Sequence, residues 1–147
     1  MKMNIGGFLA KRARLSPKKE ALVLGDVRLT WQQLNRRCNR FVNAISALGV
    51  GYGDRVAILA LNEPEFFDLY FGLGKIGAIM VPINHRLAGP EIQYIVNDCQ
   101  AKVLIFGQEF ASLVDGIRQD LPCEHFVAIM ERPPEYAQTY MQLVSGA

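Results

Sequence analysis

Asp54-Arg55-Val56-Ala57-Ile58-Leu59-Ala60, the breaker Asn62-Glu63-Pro64, an apolar-rich run from Phe66 to Ile76, and Ile79-Met80-Val81-Pro82-Ile83 form the stretch that decides the fold. Val56 to Ala60 shows no polar alternation, so it reads as a strand buried on both faces, as in a parallel sheet covered by helices. Asn62 can cap the next helix, with Pro64 in its first turn and Phe66, Phe67, Leu69, Tyr70, Leu73 and Ile76 as its buried side chains. Ile79 to Ile83 is a second strand. Pro82 lacks an N–H for the ladder, which makes that strand irregular there or puts it near an edge.

The alternation continues downstream. Pro90 starts a helix through Ile92, Ile95, Val96 and Cys99, Lys102 to Phe106 is a third buried strand, Ala111 to Ile117 a helix, and Phe126 to Met130 a fourth strand. Upstream, Ala21–Leu24 and Val27–Thr30 flank Gly25-Asp26 as a small hairpin, glycine suiting the positive φ of its turn. Thr30 with Gln33 makes a capping box for a helix whose apolar stripe is Leu34, Cys38, Phe41, Ile45 and Leu48, stopped at Gly49. The two strongest helices carry about ten large apolar side chains, each contributing roughly 1.5–3 kcal/mol when buried, a gain available only by covering a sheet. The expectation is an α/β fold: a mostly parallel sheet flanked by helices, with a small amino-terminal hairpin. Residues 1–147 form one unit, with a basic amino-terminal helix within 1–20 and a tail, 132–147, in which Tyr136, Tyr140, Met141, Leu143 and Val144 suggest a short helix.

Composition excludes several functions. Sixteen Lys and Arg against 14 Asp and Glu leave +2, which gives no electrostatic case for nucleic acid. Cys38, Cys99 and Cys123 supply neither a disulfide framework nor a four-ligand zinc pattern, so the expected home is the reducing cytoplasm. The apolar stretch Phe66–Ile83 is broken by Asp68, Lys75 and three glycines, so no transmembrane segment is expected. Lys11, Arg12, Arg14, Lys18 and Lys19 precede the first acidic residue, Glu20; they read as a solvated helix face beside Ile5, Phe8 and Leu9 in preference to a transit peptide or an anionic-membrane contact.

The chemistry-like motifs have plainer readings. Gly49-Val50-Gly51-Tyr52-Gly53-Asp54 follows a helix and precedes a strand, the reverse of a phosphate cradle, so it is a helix stop and tight turn. Gly72-Leu73-Gly74-Lys75 lies inside a helix and continues with Ile76 where a phosphate loop has Ser or Thr. Cys123 and His125 lack a second ligand pair, so no metal site is assigned. Glu63, Glu65 and Asp68 suit the positive end of a helix dipole without catalysis. No catalytic residue is assigned.

Several of these segments, taken in order, resemble the start of the adenylate-forming (AMP-binding) superfamily of acyl-CoA synthetases, luciferases and peptide-synthetase adenylation domains. Leu29-Thr30-Trp31-Gln32-Gln33-Leu34 resembles its first core motif, with Trp31 and Gln33 where tyrosine and glutamate are usual. Gly53-Asp54-Arg55-Val56-Ala57-Ile58 is similar to its Gly-Asp-x-Val-Ala-Ile entry. Leu73 to Asn84 resembles the second core motif, followed by Arg86-Leu87, Glu91, Tyr94 and Asp98 in family-like positions. Asn84-His85-Arg86-Leu87 favours the fatty-acyl-CoA synthetases. The resemblance implies the amino-terminal part of an AMP-forming acyl-CoA ligase, a cytoplasmic enzyme of fatty acid metabolism that converts carboxylate, ATP and CoA to acyl-CoA, AMP and pyrophosphate.

It also implies ATP, Mg2+ and CoA for the full-length parent and none bound tightly by these residues alone. The family's Ser/Thr/Gly-rich phosphate loop, aromatic-Thr-Glu motif and carboxy-terminal lysine have no counterpart among them. By the same resemblance, Arg86 approaches the nucleotide phosphates of CoA; pairing with a helix carboxylate such as Glu91 is the competing role. The expected partner is the rest of the parent enzyme, and an apolar face which that remainder would cover could support a homodimer. The alternative to a ligase fragment is a non-catalytic interaction or dimerisation module with the same fold.

Overall fold

Helix α1 (Ile5–Leu15) precedes a two-stranded antiparallel hairpin, β1 (Glu20–Leu24) and β2 (Val27–Thr30), in the computed structural model, which describes residues 4–146. The chain continues through α2 (Trp31–Ala47), β3 (Arg55–Leu59), α3 (Glu65–Ile76), β4 (Ile79–Pro82), α4 (Gly89–Cys99), β5 (Val103–Gly107), α5 (Ala111–Ile117), β6 (His125–Ile129), β7 (Gln138–Thr139) and α6 (Tyr140–Ser145). Strands β3 to β7 form one parallel sheet in the order β4-β3-β5-β6-β7. The α/β architecture with its separate hairpin is thus as the sequence implies, and β4, with Pro82 at its end, is indeed an edge strand.

The missing alternation in β3 has a direct cause. Val56 and Ile58 point into a core with Phe41 and Ile45 of α2, Leu69 and Leu73 of α3, and Leu143 of α6. Ala57 and Leu59 point the other way, to Ile92 and Val96 of α4 and Val114 and Ile117 of α5. Both faces are covered, so every position is apolar. A third small cluster, Leu9, Leu34 and Cys38, joins α1 to α2 and the hairpin.

The capping box of α2 is fully made: Gln33 N–H donates to Thr30 Oγ1 at 3.2 Å, and Thr30 N–H donates to Gln33 Oε1 at 2.8 Å. Asn62 does not cap α3. Pro64 takes the N-cap position with no side-chain bond, and the first turn is closed by Phe66 N–H and Phe67 N–H on the carbonyls of Glu63 and Pro64, each at 3.1 Å. Proline's fixed φ already suits a helix entrance, which moves the start beyond the reach of Asn62.

Three further expectations need correction. The basic helix is confined to Ile5–Leu15, capped by Asn4 Oδ1 on Gly7 N–H at 2.7 Å, and the part of the expected 1–20 span before Asn4 lies outside the described residues. Phe8 is 55% exposed and is not packed like its neighbour Leu9. The tail contains a strand, β7, that two polar residues could not announce.

Candidate functional site

Parallel strands place all their carboxyl ends on one edge. There the order β4-β3-β5 creates a switch point: the chain leaves β3 for one neighbour, β4, and returns on the other side as β5. Ligands of open α/β sheets bind in such a crevice. Here it is formed by the segments after β3 and β5, and it is narrow: a Cβ on Gly107 would lie 2.8 Å from Glu109 Oε2 and 3.6 Å from the Ala60 Cβ. Glu63 shares this space, and its carboxyl is pushed above its ordinary value by burial and then by the charge of Glu109. The crevice is therefore acidic.

Arg86 stands on the same edge, just beyond β4. Its N–H donates to Asn84 Oδ1 at 3.0 Å, a local bond that shapes the turn. Glu91 is occupied elsewhere: its Oε2 accepts Ala88 N–H at 2.8 Å at the entrance of α4. The Arg86 side chain is exposed and, among the described residues, forms no ion pair. The competing pairing with Glu91 is thus not formed, and the guanidinium is free to meet an anion from solvent. His85, next to it, lies 6.2 Å from the ring of Phe110.

A second constellation was not assigned from the sequence. Asp68, 1% exposed on α3, receives Arg37 Nε at 3.1 Å and Nη2 at 2.8 Å from α2. It also receives the Tyr140 hydroxyl at 2.9 Å from α6. Burial pushes the Asp68 carboxyl up against the pull of Arg37 and Tyr140. It also raises the Tyr140 phenol, with Asp68 adding to the effect, so the phenol stays a donor. Glu65 lies 3.9 Å from Arg37, and its Oε2 is buried without a hydrogen-bond partner. Two cavities of about 220 and 370 Å³ flank this group and share Glu65, Tyr140 and Met141 in their walls. The sequence did hold a signal. Arg37 falls three residues after Leu34 and four before Phe41, on the apolar stripe itself, and Asp68 interrupts an apolar run. The cluster ties three helices together; nothing in its geometry presents a reactive pair.

The other motifs are structural. Gly51 N–H donates to Asp54 Oδ2 at 2.8 Å within a turn, and that bond holds the Asp54 carboxyl below its ordinary value. Lys75 lies inside α3 and donates to Asn35 Oδ1 and Asn39 Oδ1 of α2, each at 2.6 Å. Gly74 and Gly6 let α3 and α1 cross closely, since a Cβ on Gly74 would lie 3.2 Å from Gly6 N. Among the described residues no three His, Cys, Asp or Glu side chains gather in a way that could hold a metal, and no helix is long and apolar enough to cross a membrane.

A sheet covered on both faces, with a switch-point crevice and a free arginine at its carboxyl edge, defines the class of open doubly wound α/β proteins that bind ligands at that edge. Comparison narrows this to a family. The family model described as "AMP-binding enzyme" matches residues 9–142, and the chain belongs to that family. It is 46% identical over 117 residues to a long-chain-fatty-acid–CoA ligase, FadD13, of Mycobacterium tuberculosis, covering 78% of this chain and 23% of that protein. It is 38% identical over 138 residues to the long-chain-fatty-acid–CoA ligase of Thermus thermophilus, covering 90% and 26%. Among solved structures, the anthranilate CoA ligase AuaEII in complex with anthranoyl-AMP superposes with a TM-score of 0.93 at 36% identity, over 98% of this chain and 28% of that one. The N-terminal domain of FACL13 from Mycobacterium tuberculosis superposes with a TM-score of 0.82 at 37% identity, over 99% and 37%. The chain spans about a quarter of the length of the curated relatives it matches.

Proposed function

We propose that this chain forms the amino-terminal scaffold of an AMP-forming acyl-CoA ligase that activates a fatty acid with ATP and Mg2+ and transfers it to CoA. The observation that carries this reading is the 46% identity over 117 residues to a long-chain-fatty-acid–CoA ligase. Within it, Arg86 is the residue that meets a phosphate of CoA: it is exposed, unpaired among the described residues and on the ligand edge, and a guanidinium can grip phosphate through two parallel bonds.

Apart from Arg86, this edge presents carboxylates where the triphosphate of ATP would need cations. The crevice between β3 and β5 holds Glu63 and Glu109, and like charges repel. The chain by itself therefore carries no ligase activity, because charge developing on phosphorus needs preorganised donors or metal. Incubating the 147-residue chain with ATP, Mg2+, CoA and a fatty-acid panel should release no pyrophosphate, and release above blank would refute this. In the full-length enzyme, Arg86→Ala should raise the KM for CoA by about ten-fold, the equivalent of one charge-assisted bond, with acyl-adenylate formation unchanged. An unaltered CoA dependence would remove Arg86 from the site.

A further inference from the structure

The connection between β4 and α4 is anchored at both ends and open at its tip. Ile83 is buried, and its N–H donates to the Ile58 carbonyl at 2.9 Å, which carries the β3–β4 ladder one residue past Pro82. Leu87, at the far end, packs on the same core as Ile83. Between these anchors Asn84, His85 and Arg86 are all exposed.

Asn84 closes this turn twice. Its backbone carbonyl accepts Leu87 N–H at 3.2 Å, the bond of a four-residue turn. Its side-chain Oδ1 accepts Arg86 N–H at 3.0 Å, the bond that asparagine makes to the backbone two residues on. The next donor, Ala88 N–H, is taken by Glu91 Oε2 at 2.8 Å. Three successive amides are thus fixed, and with them the direction in which the Cα–Cβ bond of Arg86 leaves the backbone. Only one of the three bonds belongs to the Asn84 side chain. Deleting it leaves the Leu87 bond and both core anchors in place, so the turn persists. The bond is exposed, so water can take over the Arg86 amide and little stability is lost. What is lost is the restriction on where the guanidinium points.

We propose that Asn84 is a positioning residue for CoA: through its Oδ1 bond to the Arg86 amide it aims the Arg86 guanidinium at a CoA phosphate and does not itself touch CoA. This role rests on the reading of Arg86 as the residue that meets CoA. It adds that the affinity of that contact depends on preorganisation by the residue two positions before it.

Steady-state kinetics of the full-length enzyme tests it, with CoA varied and acyl-adenylate formation followed separately by pyrophosphate exchange. Asn84→Ala should raise the KM for CoA roughly five-fold, the loss of one neutral hydrogen bond, and leave the exchange rate and the melting temperature those of the parent. Asn84→Ser should recover most of the loss, because a hydroxyl accepts the same N–H more weakly. In an Arg86→Ala background, Asn84→Ala should add nothing, since a residue that acts only through Arg86 has no effect once that side chain is gone. If Arg86→Ala raises the KM for CoA and Asn84→Ala does not, the positioning role is refuted while the Arg86 contact stands. If Arg86→Ala leaves the KM unchanged, both fall. Additive effects in the double variant would show that Asn84 acts independently of Arg86, and an equal fall in pyrophosphate exchange would show a general structural role; either result overturns the proposal.

Discussion

Replacing Tyr140 by Phe removes one hydroxyl and little else. The ring keeps its stack on Phe41, at 6.0 Å between centroids and 12° between planes. The loss is the 2.9 Å hydrogen bond to Asp68 Oδ2, a carboxylate that is 1% exposed. A hydrogen bond to a charged group contributes about 1.5–3 kcal/mol, and the burial of both partners argues for the upper part of that range. At about 2.1 cal/mol/K per residue, a chain of 147 residues loses roughly 3 °C of Tm per kcal/mol, so Tyr140→Phe should lower the melting temperature by about 5–10 °C. Urea unfolding monitored by circular dichroism should show a shifted midpoint with an unchanged slope. Asp68→Ala should cost more, about 3–5 kcal/mol, because it strands Arg37 half-buried against an apolar core. A Tyr140→Phe variant within about 0.5 kcal/mol of the parent would refute the claim that the three-helix clasp contributes to stability.

Two other perturbations probe neighbouring parts of the molecule. Gly6→Ala would put a Cβ 2.7–2.8 Å from the Lys75 backbone, which cannot rotate away, so α1 must shift off α3 at a cost of about 1–3 kcal/mol; a melt lowered by several degrees, with early proteolysis at α1, is the expected readout. Glu65→Gln concerns pH: burial, the largest cause, raises the Glu65 carboxyl in the folded chain above its ordinary value. The folded state then binds more protons than the unfolded one between those two values, so stability falls as pH rises through that window. The variant should therefore flatten the acid-side pH dependence of the urea midpoint and be the more stable protein at neutral pH; a steeper profile, or a weaker protein at pH 7, would contradict the sign.

The parts of this fold that could be read from the sequence are those encoded within a few residues. The unalternating run at Val56 and the Thr30–Gln33 pair carry their meaning locally, and β3 and the α2 cap stand where they indicate. Pro82 marked an edge because a missing N–H is a property of one residue. Arg86 could be placed at the end of a strand, but its freedom depends on Glu91 being claimed by Ala88 N–H, a detail of one turn's geometry. Asp68 was harder still. Its neighbours in sequence, Glu65 and the start of α3, give it a sufficient local explanation as a helix-dipole charge, whereas its partners lie 31 positions upstream and 72 downstream. A residue whose role is set by two distant helices looks ordinary until those helices are packed.

That distance between partners bears on β7. It is two residues long and meets β6 through two register pairs, Val127 with Gln138 and Ala128 with Thr139, too few to hold a strand alone. No helix connects it to β6, so its position depends on the helix directly after it, the Thr139-capped α6. Helix α6 is only six residues, below the length at which helix propensity sustains itself. It is held instead by Leu143 in the core, by Tyr140 on Phe41, and by the Tyr140 hydroxyl on Asp68. Of these contacts only the hydroxyl bond is directional enough to fix the rotation of α6 about its axis, and hence the register of β7. Hydrogen exchange in Tyr140→Phe should therefore accelerate first at the amides of β7 and α6 while those of β3 and β5 keep their protection. Uniform acceleration across the sheet would instead mean that the clasp supports the whole core and that β7 is held by its own ladder.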